Sequence, residues 1–191
     1  SFNNAEENQP KSKFLGELVG NFDNVVDVTL ESDSLGLKDS SKVEEFVRNA
    51  NQSGDLLAVL GEADQIGAKN SENMEAVFSN PDKAKDLNKV IGAAKDAFSS
   101  DRRASGDDQL SQDGKDTMTA MFRTAEKADK VAEVVDSAVA SKSTDKDQGE
   151  KKVLGVFKVV KSVDKAEQDQ KAATAAAEKA GKAADAAKKA E

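Results

Sequence analysis

Apolar residues recur along most of this chain three and four places apart, the spacing that puts them on one face of a helix. Leu15, Leu18, Val19, Phe22, Val25 and Val26 form the first such stripe. The stretch Val25 to Leu30 is β-branched enough to suggest a strand, but no second strand candidate exists to pair with it, so it reads as helix. Val43, Phe46 and Val47 mark a short helix with a capping-box pattern, Ser41 and Glu44, at its start. Gly54 reads as its end. Leu56, Val59, Leu60, Ala63 and Ile66 make the next stripe, and after the polar break at Asn70 to Asn73 a further short helix holds Met74, Val77 and Phe78. Asn80-Pro81-Asp82 has the chemistry of a helix start: a side-chain cap, a proline tolerated in the first turn, and an acid facing the positive dipole end. Ala84, Leu87, Val90, Ile91, Ala94 and Phe98 then share a face. Residues 99–114 read as a polar loop. Met118, Met121, Phe122, Val131 and Val135 resume the helical pattern, and a last helix from about Glu150 carries Val153, Phe157, Val160 and Val163 before turning almost wholly into Ala and Lys.

The pattern repeats. Met74-Glu-Ala-Val77-Phe78 and Met118-Thr-Ala-Met121-Phe122 are each followed by apolar residues nine, twelve and thirteen places on: Leu87, Val90, Ile91 and Val131, Val134, Val135. The segment from Val43 to Phe46, with Leu56, Val59 and Leu60, matches after a one-residue insertion near Gly54. Val153 to Phe157 matches the front half only, and Phe14 matches loosely. The Phe anchors at 14, 46, 78, 122 and 157 stand 32 to 44 residues apart, the length of a helical-hairpin repeat. The expectation is an all-α fold: an irregular array of helical hairpins with a long Ala-rich C-terminal helix. It divides into a polar N-terminal arm (1–12, with Pro10 as breaker), a helical repeat domain (13–149) and the long C-terminal helix or tail (150–191). Phe46, Phe78, Phe122 and Phe157 are the expected core anchors.

Composition limits the chemistry. Hydrophobic residues are 37% and charged residues 34%, so the core must be thin and shared between narrow stripes. The net charge of -8, from 36 acids and 28 bases, sets the chain against phosphate backbones and excludes nucleic acid as an expected partner. No apolar run is long enough for a membrane span. With no His, Cys, Tyr or Trp, the chain lacks the groups that most often move protons or attack substrates near neutral pH, and enzymatic activity is not expected. Transition metals lack their usual ligands. Asp145, Asp147 and Gly149 give an incomplete calcium-loop pattern, and Asp107, Asp108, Asp113 and Asp116 form a second acidic stretch; neither supplies a full ligand set, so no cofactor is expected, with calcium at these acidic loops as the weaker alternative. Asn51-Gln52-Ser53 is a glycosylation triplet. A chain beginning at Ser1 suits a protein processed on export, so an extracellular or cell-surface location is expected, with the cytoplasm still open.

In the tail, Ala173, Ala177, Ala180, Ala184 and Ala187 step by four and three, a heptad seam of small residues flanked by charge. Lacking catalytic groups, the chain is expected to act by contact. The leading expectation is a structural protein that assembles with copies of itself, as an extracellular filament or surface-layer subunit. The alternatives are a monomeric helical protein-binding module, and an amphipathic coat for lipid or granules. The last suits the chain less, because such helices carry broader apolar faces and basic flanks.

Overall fold

The computed structural model describes residues 9–37, 40–98, 110–142 and 145–188, with side chains described at 13, 15–37, 42–98, 110–142 and 145–183. Among these the protein is 89% helical and has no strand. The helices are α1 (Gln9–Gly20), α2 (Phe22–Ser34), α3 (Ser40–Arg48), α4 (Ser53–Gln65), α5 (Ser71–Ser79), α6 (Ala84–Ala97), α7 (Gln112–Arg123), α8 (Ala128–Ser141) and α9 (Lys146–Lys188). Residues 9–12 of the expected polar arm belong to α1, and residues 1–8 lie outside the described residues. Pro10 lies in the first turn of α1, where its missing N–H breaks no helical bond.

Four of the junctions share one device. At Asn21, Asn49, Asn80 and Thr124 the backbone leaves helical geometry (φ between -107° and -135°). In each case the short polar side chain donates back to the carbonyl four residues earlier: Asn21 to Glu17 at 2.9 Å, Asn49 to Glu45 at 3.0 Å, Asn80 to Ala76 at 2.7 Å and Thr124 to Ala120 at 2.8 Å. At Asn21, Asn49 and Thr124 the same carbonyl also accepts the residue's own backbone N–H, and Thr29, Thr117 and Ser137 make the same side-chain bond inside unbroken helices, so the bond satisfies the polar side chain at the break without dictating the break. A 3₁₀ turn follows three of the breaks, at Ala50–Gln52, Pro81–Lys83 and Ala125–Lys127, before the second helix sets off in a new direction. Asn80 thus caps backward onto the helix it ends rather than forward onto the one it precedes. The first stripe is likewise two helices divided at Asn21, and Gly54 lies inside α4, the break being at Asn49. The inserted residue of that unit therefore falls between Phe46 and Ala50.

Aligned on the breaks, the units superimpose in sequence. Residues four, seven, eleven and fourteen places on face the core: Val25, Val28, Ser32 and Leu35; Ser53, Leu56, Leu60 and Ala63; Ala84, Leu87, Ile91 and Ala94; Ala128, Val131, Val135 and Ala138. All are buried except Leu35 and Val131, which are half-buried. The second helices α2, α4, α6 and α8 pack side by side in chain order, and α7 packs between α5 and α9 in the row of first helices. Phe46, Phe78, Phe122 and Phe157 are all buried. Phe46 meets Phe78 at 5.7 Å between ring centres, and Phe157 meets Phe98 at 6.1 Å, each pair joining different units. Both α2 and α4 end on a glycine with positive φ, Gly36 and Gly67, and the next N–H returns to the carbonyl five residues back. At the α8–α9 corner a Cβ on Gly149 would lie 2.7 Å from the Lys142 backbone, so only glycine allows the chain to turn there.

Polar links tie neighbouring units across the core. Lys95 reaches Glu62 at 2.7 Å, Lys83 reaches Asp129 at 2.8 Å, and Lys89 pairs with Asp136. A buried chain joins three helices: Arg123 Nε donates to Asn73 Oδ1 at 2.7 Å, and its Nη1 meets Asp164 at 3.4 Å. The hydrogen bond from Lys83 holds the Asp129 carboxyl below the usual range, and the same bond raises Lys83 above its own.

Two outcomes follow from this packing. Phe122→Ala should cost about 3–5 kcal/mol in denaturant unfolding, the range for truncating a core phenylalanine, and a loss below about 1 kcal/mol would show that Phe122 is not a core residue. The depressed Asp129 pKa makes the Lys83–Asp129 contribution complete above the unfolded carboxyl pKa and removes it as pH falls through the lower folded value. Lys83→Met should therefore melt below wild type at pH 7, with the difference vanishing in strong acid. An equal difference at both pH values would mean the loss is one of packing.

Candidate interaction surfaces at the two ends of the array

The large exposed apolar side chains are not scattered. Leu15, Val19, Phe22, Val26 and Leu30 lie on α1 and α2, and Val134, Val139 and Val159 lie on α8 and α9; among the described residues only Val43 falls between these groups.

The C-terminal group borders an open apolar groove of about 350 Å³ between α8 and α9, lined by Val131, Val134, Val156, Val159, Val160 and Val163. Comparing units explains why it is open. Ten residues past the break stand Val59 (0% exposed), Val90 (1%) and Val134 (52%). In the first two, the next second-row helix packs alongside. Beside α8 no such helix is described, because α9 does not turn back. Two residues after Phe78 and Phe122 come the break residues Asn80 and Thr124, whereas two after Phe157 comes Val159. The chain does not break there, and α9 runs on for 43 residues, about 65 Å at 1.5 Å per residue. The charged lining residues are Lys127 and Lys130. Burial pulls the Lys127 ammonium down, but hydrogen bonds to Glu126 and Glu167 outweigh it and leave it raised above its ordinary value, so Lys127 stays cationic.

At the other end, Phe22 and Val26 stand one and five places past the break at Asn21. The first position is filled elsewhere by buried Ala50, Pro81 and Ala125. The second is Asp129 in α8, whose carboxylate reaches back to Lys83 in the preceding unit. This edge of a second-row helix faces the unit before it, and on α2 it is apolar and exposed. Asp23, Asp27, Glu31 and Asp33 make α2 purely acidic. Beside the break, Leu18, Val19 and Phe22 help line a hollow of about 550 Å³.

Of the expected seam, Ala173, Ala177 and Ala180 are exposed, as is every residue from Lys171 to Ala183; Ala184 and Ala187 continue the helix with side chains outside the described set. Among the described residues none buries this seam. The calcium-loop pattern is folded into a helix start: Asp145 accepts from the Gln148 N–H at 3.0 Å, and Gly149 is buried. Asp113 pairs with Lys161 and Asp116 accepts from Gln112 at 2.7 Å, while Asp107 and Asp108 lie outside the described residues. Among the described residues no three metal-ligating side chains converge. No described helix is long and apolar enough to cross a membrane. Ser53 of the glycosylation triplet is buried, with its hydroxyl donating to Ala50 at 2.6 Å. Comparison of the chain with protein-family models, curated proteins and solved structures finds no match.

The two valines at the tenth position provide a contrast within one fold. Val90→Ala removes two buried methyl groups and should cost about 1.5–3 kcal/mol. Val134→Ala should stay within about 0.5 kcal/mol in dilute solution, as exposed substitutions do. Equal costs in urea titrations would mean that the groove is filled within the single chain.

Proposed function

We propose that this protein is a structural subunit that assembles with copies of itself through the ends of its helical array, in the manner of an extracellular filament or surface layer. The observation that carries the reading is the placement of exposed apolar residues at both ends. Soluble repeat arrays need terminal units with polar outer faces, because each unit otherwise buries its sides against a neighbour. Here the outer edge of α2 carries Phe22 and Val26, and the outer edge of α8 carries Val134 above a valine-lined groove. Contacts between unlike ends of identical subunits propagate into filaments when they do not close into rings. The 37% hydrophobic composition and the lack of His, Cys, Tyr and Trp agree with a role in contact rather than catalysis.

The groove by itself also suits a monomeric module that takes an amphipathic helix from another protein. Concentration separates the two readings. Light scattering behind size exclusion, from micromolar to millimolar protein, should show mass rising with concentration. A strictly monomeric chain at the highest concentration would remove the self-assembly reading and leave the binding module.

A further inference from the structure

We infer that the groove between α8 and α9 receives α2 of a second copy, which takes the position of a fifth second-row helix. The inference rests on the self-assembly reading and specifies its geometry: an unlike-end contact that continues the internal stack from one chain into the next.

Four observations converge. First, the groove has the place of a repeat element. The second-row helices stack α2, α4, α6, α8, and α9 begins as the first helix of another unit, with Val153 and Phe157 buried as Met118 and Phe122 are in α7. A second helix of that unit would lie against α8 over Val134, where α6 covers Val59 and α8 covers Val90. Val159 stands where the preceding units break, but α9 runs on through it and does not supply that helix. Second, the only second-row helix with an exposed apolar edge on the side facing a preceding unit is α2, among those described. Phe22 and Val26 occupy that edge; the equivalent positions in the last unit are Ala125, buried in the turn before α8, and Asp129 in α8, whose carboxylate reaches Lys83 of the preceding unit. Third, the charges are of opposite sign: the groove is lined by Lys130 and by Lys127, which also holds Glu126 and Glu167, and α2 carries four acids and no base, with Glu31 among them paired to Lys69. Fourth, the groove lies between two helices, α8 and α9, and so has the form of a seat for one helix. The Ala face of the tail is a poorer occupant, because methyl groups remove far less apolar area from water than Phe22, Val26 and Leu30.

The test uses one disrupting change on each face, Val134→Asp in the groove and Phe22→Asp on α2. Both residues are exposed in the single chain, so each variant should fold, which circular dichroism melts will check. Val159→Asp and Val26→Asp form a second pair should either misfold. Wild type should polymerise. Each variant alone should associate more than about tenfold more weakly, the effect of losing a central contact. An equimolar mixture should form a one-to-one dimer and stop there, because the groove of the Phe22→Asp copy and the α2 edge of the Val134→Asp copy are both intact. If wild type is monomeric, the self-assembly reading fails and this inference fails with it. Should both variants polymerise like wild type, self-assembly stands but this contact is overturned. Loss of polymers on deleting Gln170 to Glu191 would then make the tail the occupant. A mixture that stays monomeric while each variant is monomeric overturns the contact, because the two intact complementary faces would then have failed to pair.

Discussion

Four helix breaks, at Asn21, Asn49, Asn80 and Thr124, organise this fold. At each of them a short polar side chain bonds the carbonyl four residues before it, and the chain re-enters helical geometry on a new axis. The stripe on each second helix is counted from that point, so the core is in register with the breaks rather than with the phenylalanines. Ending helices early also suits a chain with few large apolar residues, since short helices in two rows need only one narrow stripe each. The missing fifth break has consequences of the same size. With Val159 where a break residue would stand, α9 leaves the array as a rod and the last unit stays half built.

Much of this was legible in the sequence, and the parts that were not share a cause. Helical class, the hairpin length and the long terminal helix follow from spacing alone, because periodicity reports the face that packing must bury. Break positions were harder. Gly54 has the weaker helix propensity and Asn49 holds the actual break, since propensity says how readily a residue leaves a helix but not where the chain does so. Asn80 was legible as a helix boundary, though the direction of its bond was not. At the N-terminus the phenylalanine anchor was misleading. Leu18, three residues before Asn21, stands where Phe46 stands before Asn49, and it is half-buried.

The end surfaces were illegible for a different reason. Val134 and Val90 occupy the same place in the same pattern, and no local feature distinguishes the covered valine from the open one. The difference lies in whether another helix follows, and the chain passes that point unbroken at Val159, twenty-five positions after Val134. The Ala seam was the opposite case. It was conspicuous in the sequence, but Ala173 to Ala180 are exposed among the described residues.

The polar links between units are unevenly distributed. Lys69 pairs with Glu31 between the first two units, at 3.4 Å, whereas Lys127 with Glu167, Lys161 with Asp113 and Arg123 with Asp164 together fasten α9. Arg123 also joins α5 to that cluster through Asn73. Among the described residues these ion pairs are thus denser around α9 than at the N-terminal unit, whose buried apolar side chains are Val25 and Val28. In a stack of near-independent modules, opening begins where coupling is weakest and spreads from there. Amide protons of α1 and α2 should thus exchange by local release while those of α6 to α8 await global unfolding, and the end of the molecule that presents Phe22 is also the end most able to adapt its shape to what it meets.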